Sequence, residues 1–449
     1  MCAFRSCIKK KLLALAPEQA IVKKRTPYRV DGEVGRFSFQ VPELAEADSS
    51  AATNALKQLF PPQPGKTWYR TRGFKELAYV HGTPSGSYRK TSNWLNRVRH
   101  QPKATSARTL QDNTEAEGQR IRKYLERQSE KILIAHQFSA EGIPLTPEPK
   151  DTKAQEKSLS EETIEKAVHA SQILEALRSK MKANPVPYEN PTQSVNISVD
   201  DVGVKEQKKQ RRPAEKTAST SEKQERHHTY QTVVHIENQF GTYVFNTLGT
   251  VAAMPILIAF LFHNQLLGGN LQFFIDGQRS LQASILNAFN WFGSHQLILD
   301  WYHLEEKCKK QLSLALNGRL IRNEVLTQLL YWLWHGLVDE AIEYLETVDS
   351  KHIKAAESLE KLKGYFIRNQ AYIPCYSVRK GLGLRNSSNQ GEKCNDLLVA
   401  ERQKHNGMSW SQLGSVALAA VTALVRNQEA TTWFKTGDMN FKLLPRTEF

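Results

Sequence analysis

The chain has 449 residues, 61 lysines and arginines against 46 aspartates and glutamates, and a net charge of +15. Domains of ~100–200 residues are usual, so this length allows two or three and excludes a small stapled scaffold. The positive excess favours a polyanionic partner, nucleic acid first. Cys2, Cys7, Cys308, Cys375 and Cys394 lack C-x-x-C spacing, which speaks against a zinc site or a disulfide framework and for a reducing cytoplasm.

The opening MCAFRSCIKKKLLALAP is basic, then mildly apolar, without the apolar core and small residues of a cleaved signal. Val251 to Phe262 is too short to span a bilayer and contains Pro255, so no membrane association is expected. Residues 1–66, polar and alanine-rich with FPPQPG at 60–65, read as a variable, loosely structured lead-in. Within 67–150 a helical pattern at Phe74 to Val80 breaks at GTPSGS and resumes at Tyr88, the outline of a helix-turn-helix. In its second helix Trp94, Leu95 and Val98 are expected to be buried, leaving Arg89, Lys90, Asn93, Asn96, Arg97 and Arg99 on the remaining surface. Arginine and asparagine suit guanine and adenine edges in the major groove, and lysine suits phosphate. A plainly solvated basic helix is the alternative reading of the same pattern.

Residues 113–135 and 159–183 read as amphipathic helices around a hinge at 146–158, with 151–190 as a helical linker. From 191 the pattern changes to alternation. Strands are expected at 196–207, 228–239 and 241–249, the first two separated by a long polar loop, KKQRRPAEKTASTSEKQERH. A helix at about 251–265, a strand ending at Asp276, a helix at 281–292 and a strand ending at Asp300 follow. Three strands, helix, strand, helix, strand is the order of the ribonuclease H-like fold, a mixed α/β sheet with helices packed over it. In that fold the strand after the first helix lies beside the first strand, so Asp276 approaches Asp200 or its neighbour Asp201. Carboxylates brought together repel unless a cation lies between them. Hard oxygen ligands open to phosphate suit Mg²⁺ or Mn²⁺, and two such ions can assist phosphodiester displacement. An all-helical insertion is expected at about 304–372 within a catalytic domain of 191–449. After it, Glu392 in the first turn of a new helix can reach the strand ends, whereas Glu401 lies further along.

Three stretches carry a family resemblance: IDGQRSL at 275–281, LDWYHLEEK at 299–307 and GEKCNDLLVAERQKHNGMSW at 391–410. Together they resemble the Mutator-like insertion-sequence transposases, particularly the ISLre and ISKra groups, over about 195–435. The segment YVHGTPSGSYRKTSNWLNRVRHQ also looks like the helix-turn-helix of that group. The resemblance implies a DDE triad of Asp200, Asp276 and Glu392, with Asp300 and His303 forming an Asp-x-x-His element beside it. It also implies Mg²⁺ or Mn²⁺ as cofactor, and double-stranded DNA, as terminal inverted repeats and target, as substrate. A homodimer or higher oligomer on DNA and a cytoplasmic, nucleoid-associated location go with that activity. Arg402 and Lys404, past the third acid, are expected to line a DNA groove. Two departures stand out. Asp200-Asp201 replaces the family's frequent Asp-Gly, leaving the first ligand open between the two, and SSNQGE stands for Gly-Ser-Gly-x-x-Glu. A ribonuclease H-like nuclease without strand transfer, or an inactive DNA-binding derivative, are the alternatives in function.

Overall fold

A computed structural model describes residues 20–46, 68–80, 87–102, 105–146, 159–171, 173–207, 227–404 and 407–445. The polar loop at 208–226, the greater part of the expected hinge at 146–158, the GTPSG of the turn at 82–86 and the basic N-terminus lie outside them. Contacts divide the chain into two compact units, one of Met1–Ala116 with Glu429–Met439, the other of Glu117–Gln428 with Asn440–Phe449.

Within the expected loose lead-in of 1–66, the described residues 20–46 form strands instead. Strands β1 (Ala20–Gly32) and β2 (Gly35–Glu46) form a long antiparallel hairpin, and β3 (Trp68–Arg70) pairs parallel with β1. Charged residues and two prolines hide its alternation, but Tyr28 and Val30 are buried and Asp31 is buried with its charge satisfied by Arg36, 2.7 Å away. Helices α1 (Arg72–Val80) and α2 (Tyr88–Val98) follow, with Ser87 capping α2 by accepting from the Lys90 amide. The buried arc of α2 is Tyr88, Thr91, Ser92 and Leu95, continuing to Arg99. Trp94 and Val98 are exposed, contrary to expectation. Small hydroxyl residues at Thr91 and Ser92 let α2 lie close against its neighbours, so the buried face is set by size and spacing rather than by apolar letters.

In the second unit the long helix α3 (Ala107–Ala135) runs on from the first. Helices α4 (Glu161–Ala170) and α5 (Glu175–Lys182) occupy the expected linker but do not behave as one. Ala167, Val168, Ile173 and Met181 are buried in a cluster with Leu337, Cys375 and Val378. An apolar stripe on each helix needs a partner, and the later helices supply it.

The sheet contains β4 (Ser194–Lys205), β5 (His228–Glu237), β6 (Gly241–Thr247), β7 (Asn270–Ile275), β8 (His295–Leu299) and a terminal β9 (Leu444–Pro445). Their order is β8-β7-β4-β5-β6-β9. β4, β5 and β6 form an antiparallel meander, while β7 and β8 run parallel to β4. The fold is therefore mixed α/β. Helix α6 (Thr250–His263) connects β6 to β7 and α7 (Arg279–Phe289) connects β7 to β8. α6 is apolar on nearly every face and correspondingly buried, and among the described residues no helix is long and apolar enough to cross a membrane.

After β8 the chain is helical: α8 (Trp301–Ala315), α9 (Arg319–Trp334), α10 (Val338–Glu346), α11 (Ala356–Asn369) and α12 (Tyr376–Gly381). The helical stretch thus continues past the expected end near 372. α13 (Asn389–Asn395) then leads through a π-helical turn, Asp396–Ala400, into α14 (Glu401–Gln403). α15 (Gln412–Arg426) packs on the meander, and α16 (Ala430–Thr436) belongs to the first unit, where Phe434 meets Tyr79 with ring centroids 5.8 Å apart.

Candidate active site

Register explains how the aspartates meet. The last paired residues of β4 and β7 are Ser198 and Phe274. Two positions further on each strand stand Asp200 and Asp276. β8 ends one residue before Asp300, pairing Leu299 with Ile275. Side chains alternate along a strand, so Asp200 and Asp201 face opposite ways. Asp200 lines a cleft, whereas Asp201 is exposed and accepts a hydrogen bond from the Thr232 hydroxyl.

Asp276, His303 and Glu392 line the same cleft, together with Ser198, His235, Ser388, Gly391 and Asn395. Burial, then the neighbouring Asp276 carboxylate, pushes the Asp200 carboxyl above its usual range, with His303 acting the other way. Glu392 is also raised, first by burial and then by Asp300 and Asp200, while His303 opposes the shift. His303 Nε2 lies 3.3 Å from Glu392 Oε1.

Backbone geometry holds these groups. Asp276 Oδ1 accepts from the Gln278 amide at 2.8 Å, and Gly277 takes φ +87° between them. A Cβ on Gly277 would stand 2.7 Å from the Tyr365 hydroxyl, which itself donates to the Asp276 carbonyl at 3.2 Å. Gly and only Gly suits both demands. A Cβ on Gly391 would stand 2.5 Å from the Ser198 Cβ, so α13 rests almost directly on β4, and this close approach brings Glu392 to the strand ends.

Several expected site residues have other roles. Asp300 is 1% exposed and caps α8, its Oδ1 accepting from the amides of Tyr302 at 2.8 Å and His303 at 3.1 Å. Its Oδ2 accepts from the Ser388 amide. With both oxygens accepting from backbone amides, Asp300 fixes the start of α8, hence His303, and the approach to α13. Arg402, expected to face DNA, is buried with its guanidinium 5.3 Å from the Trp410 ring centre. Arg99 is likewise buried, 3.4 Å from Asp31 and over the Phe74 ring. Asn96 spends its amide on the backbone of Thr105, donating at 3.0 Å and accepting at 2.9 Å. Arg89, Lys90, Asn93 and Arg97 are exposed on α2, as is Lys404 beyond α14. Glu401 is exposed and is not among the residues lining the cleft.

His235 and Asn395 were not anticipated. His235 lies on β5 and meets the Thr242 hydroxyl at 2.7 Å, with no signal in its strand pattern. Asn395 donates to Asp200 Oδ2 at 2.6 Å. Its position three residues after Glu392, hence on the same helical face, is a signal the sequence did contain.

Among the described residues, no group of three His, Cys, Asp or Glu side chains forms a ready-made metal cage. The chemistry of the cleft nonetheless fits a hard divalent cation. Its acids offer carboxylate oxygens, and two of them are pushed toward protonation partly by the other acids, a repulsion that a cation would relieve.

No protein-family model matches the chain, and no curated protein does. Among solved structures, the Drosophila P element transposase strand transfer complex aligns with 87% of this chain and 88% of that one, at 9% identity and a TM-score of 0.24, below the level at which two chains share a fold.

Proposed function

We propose that this chain is a DDE-type DNA transposase whose second unit is a ribonuclease H-like catalytic domain with a helical insertion. The observation that carries this reading is the convergence of Asp200, Asp276, His303 and Glu392, from four separate stretches of sequence, on one cleft formed by the middle of β4, the turn after β7, the first turn of α8 and the start of α13. The sheet order β8-β7-β4-β5-β6, with a helical stretch before the third acid, supports the fold assignment. The Mutator-like motifs support the family.

Asp200, Asp276 and Glu392 would hold Mg²⁺ or Mn²⁺. When bound, such a cation supplies positive charge to the phosphodiester oxygens and favours deprotonation of the attacking oxygen. The cleft then orients a DNA phosphate, with His303 placed to exchange a proton through Glu392 or with a reacting oxygen. In the first step a P–O bond forms to water while the bond to the DNA 3′ oxygen breaks, and the proton lost by water balances the one gained by the leaving oxygen. In the second step the liberated 3′-hydroxyl attacks target DNA in the same way. No covalent intermediate with the protein is required.

The exposed arc of α2, with Arg89, Lys90, Asn93 and Arg97, would recognise terminal inverted repeats in double-stranded DNA, Lys404 would add a phosphate contact, and a homodimer or higher oligomer would pair the two ends. A cytoplasmic, nucleoid-associated location follows from that substrate. The test incubates the full chain with DNA flanking its own gene, Mg²⁺ and a target plasmid, and sequences the product ends. Joining of a cleaved 3′ end to the target is expected. Cleavage without joining would identify a nuclease, and selective binding without cleavage an inactive derivative.

A further inference from the structure

The three acids of the cleft share a feature that the triad itself does not require. Each has one carboxylate oxygen engaged by a protein nitrogen: Asp200 Oδ2 by Asn395 Nδ2 at 2.6 Å, Asp276 Oδ1 by the Gln278 amide at 2.8 Å, and Glu392 Oε1 by His303 Nε2 at 3.3 Å. Asp200 is held besides by the Asp201 backbone, and a donor on a carboxylate oxygen occupies one of its lone pairs and disfavours coordination through both oxygens at once. Mg²⁺ and Mn²⁺ favour compact octahedral sites, Mg²⁺ at 2.0–2.1 Å, whereas Ca²⁺ takes six to eight ligands and often binds carboxylates through both oxygens.

We propose that Asn395 is a positioning residue that selects the cation: by holding one oxygen of Asp200, it restricts that carboxylate to single-oxygen coordination and favours Mg²⁺ or Mn²⁺ over Ca²⁺. This rests on the reading of the cleft as a cation site. Asn395 is the informative member of the set, because the Gln278 donor is backbone and His303 stands among the reacting groups. The Asn395 amide must present its nitrogen, since its oxygen at 2.6 Å would oppose a carboxylate oxygen. Its place is fixed as well. It is the last residue of α13, where the π-helical turn at Asp396 begins, and it faces the cleft from the same helical side as Glu392. π-turns inside helices frequently mark functional sites, and here the turn follows directly on the residue that grips Asp200.

The test measures binding of Mn²⁺ alone and of Ca²⁺ alone to the full chain by titration calorimetry, for the wild type, Asn395→Ala and the near-isosteric, uncharged Asn395→Leu. In both variants Asp200 loses the Asn395 donor and keeps only the Asp201 backbone contact, so the oxygen that Asn395 held is released. The preference for Mn²⁺ over Ca²⁺ is expected to fall by about tenfold, the lower end of what removing a partner of a metal ligand does to affinity, while thermal unfolding in chelator shows the variants folded. An unchanged preference in either folded variant overturns the role of Asn395. A wild type that binds neither ion, or binds them equally well after Asp200→Asn, overturns the cation-site reading itself and the present proposal with it.

Discussion

Asp200 destabilises the fold where it stands. Burial and Asp276 raise its pKa, so folding favours its protonated form. That contribution is fully present below the unfolded value of ~3.9 and is lost as pH rises through the folded one, leaving an ionised, repelled carboxylate at neutral pH. Asp200→Asn keeps the shape and an acceptor for Asn395. In chelator it should raise the thermal midpoint by ~1–2 °C, on the order of 1 kcal/mol, and it should abolish the further rise that Mg²⁺ is expected to give the wild type. A lowered midpoint in differential scanning calorimetry would contradict this account. The arginines of α2 make a second contrast. Arg99→Ala strips a buried Asp31 of one of its two cationic partners and leaves Arg36 in place, and should cost about 1.5–3 kcal/mol. Arg97→Ala, at an exposed position, should change stability by less than ~0.5 kcal/mol yet weaken selective DNA binding by ~1–3 kcal/mol in gel-shift titrations. The sequence could not separate these two residues. Residue type marks both as cations, and the partner that buries Arg99 sits 68 positions away in a hairpin whose alternation is masked by charge and proline.

At the scale of elements, α13 connects the sheet to the third acid, and its closeness to β4 is what Gly391 permits. Gly391→Ala should lift the helix by a few tenths of an ångström or more, because Ser198 Cβ is in the way, and should sharply reduce DNA cleavage in a protein that still folds. Ser198→Gly in the same chain should restore part of the activity. If Gly391→Ala cleaves DNA as the wild type does, the packing of α13 does not set the geometry of Glu392. Much at this scale was legible in the pattern. β4 to β8, α6 and α7 follow from alternation, apolar runs and the aspartates that end them, because buried parallel strands need continuous apolar stretches. Three elements were not. The hairpin of β1 and β2 carries too many charges to stand out, β9 is two residues long and depends on β6 for pairing, and the run from Asn389 to Gln403 looks like one α-helix although its middle is a π-turn. That turn changes the register after Asn395, so a constant rise of 1.5 Å per residue does not describe how far Glu401 lies from the cleft.

For the whole molecule, the proposed function together with the net charge of +15 and the division into two units predicts that holding DNA and cutting it are separable. Phosphate contacts from many basic side chains should make binding fall steeply with salt, without reference to the cleft. Cutting should depend on the residues that form and support the cleft, its three carboxylates first. The most direct measurement compares wild type and Asp276→Asn on DNA carrying the gene's own flanks, scoring bound and cleaved fractions in the same reactions with Mg²⁺. Asp276→Asn replaces an anionic oxygen by a neutral group of nearly the same shape and still offers an acceptor to the Gln278 amide. The account predicts unchanged binding with cleavage reduced by at least a hundredfold, about 2.7 kcal/mol of barrier. Cleavage by a folded Asp276→Asn protein at the wild-type rate would contradict it.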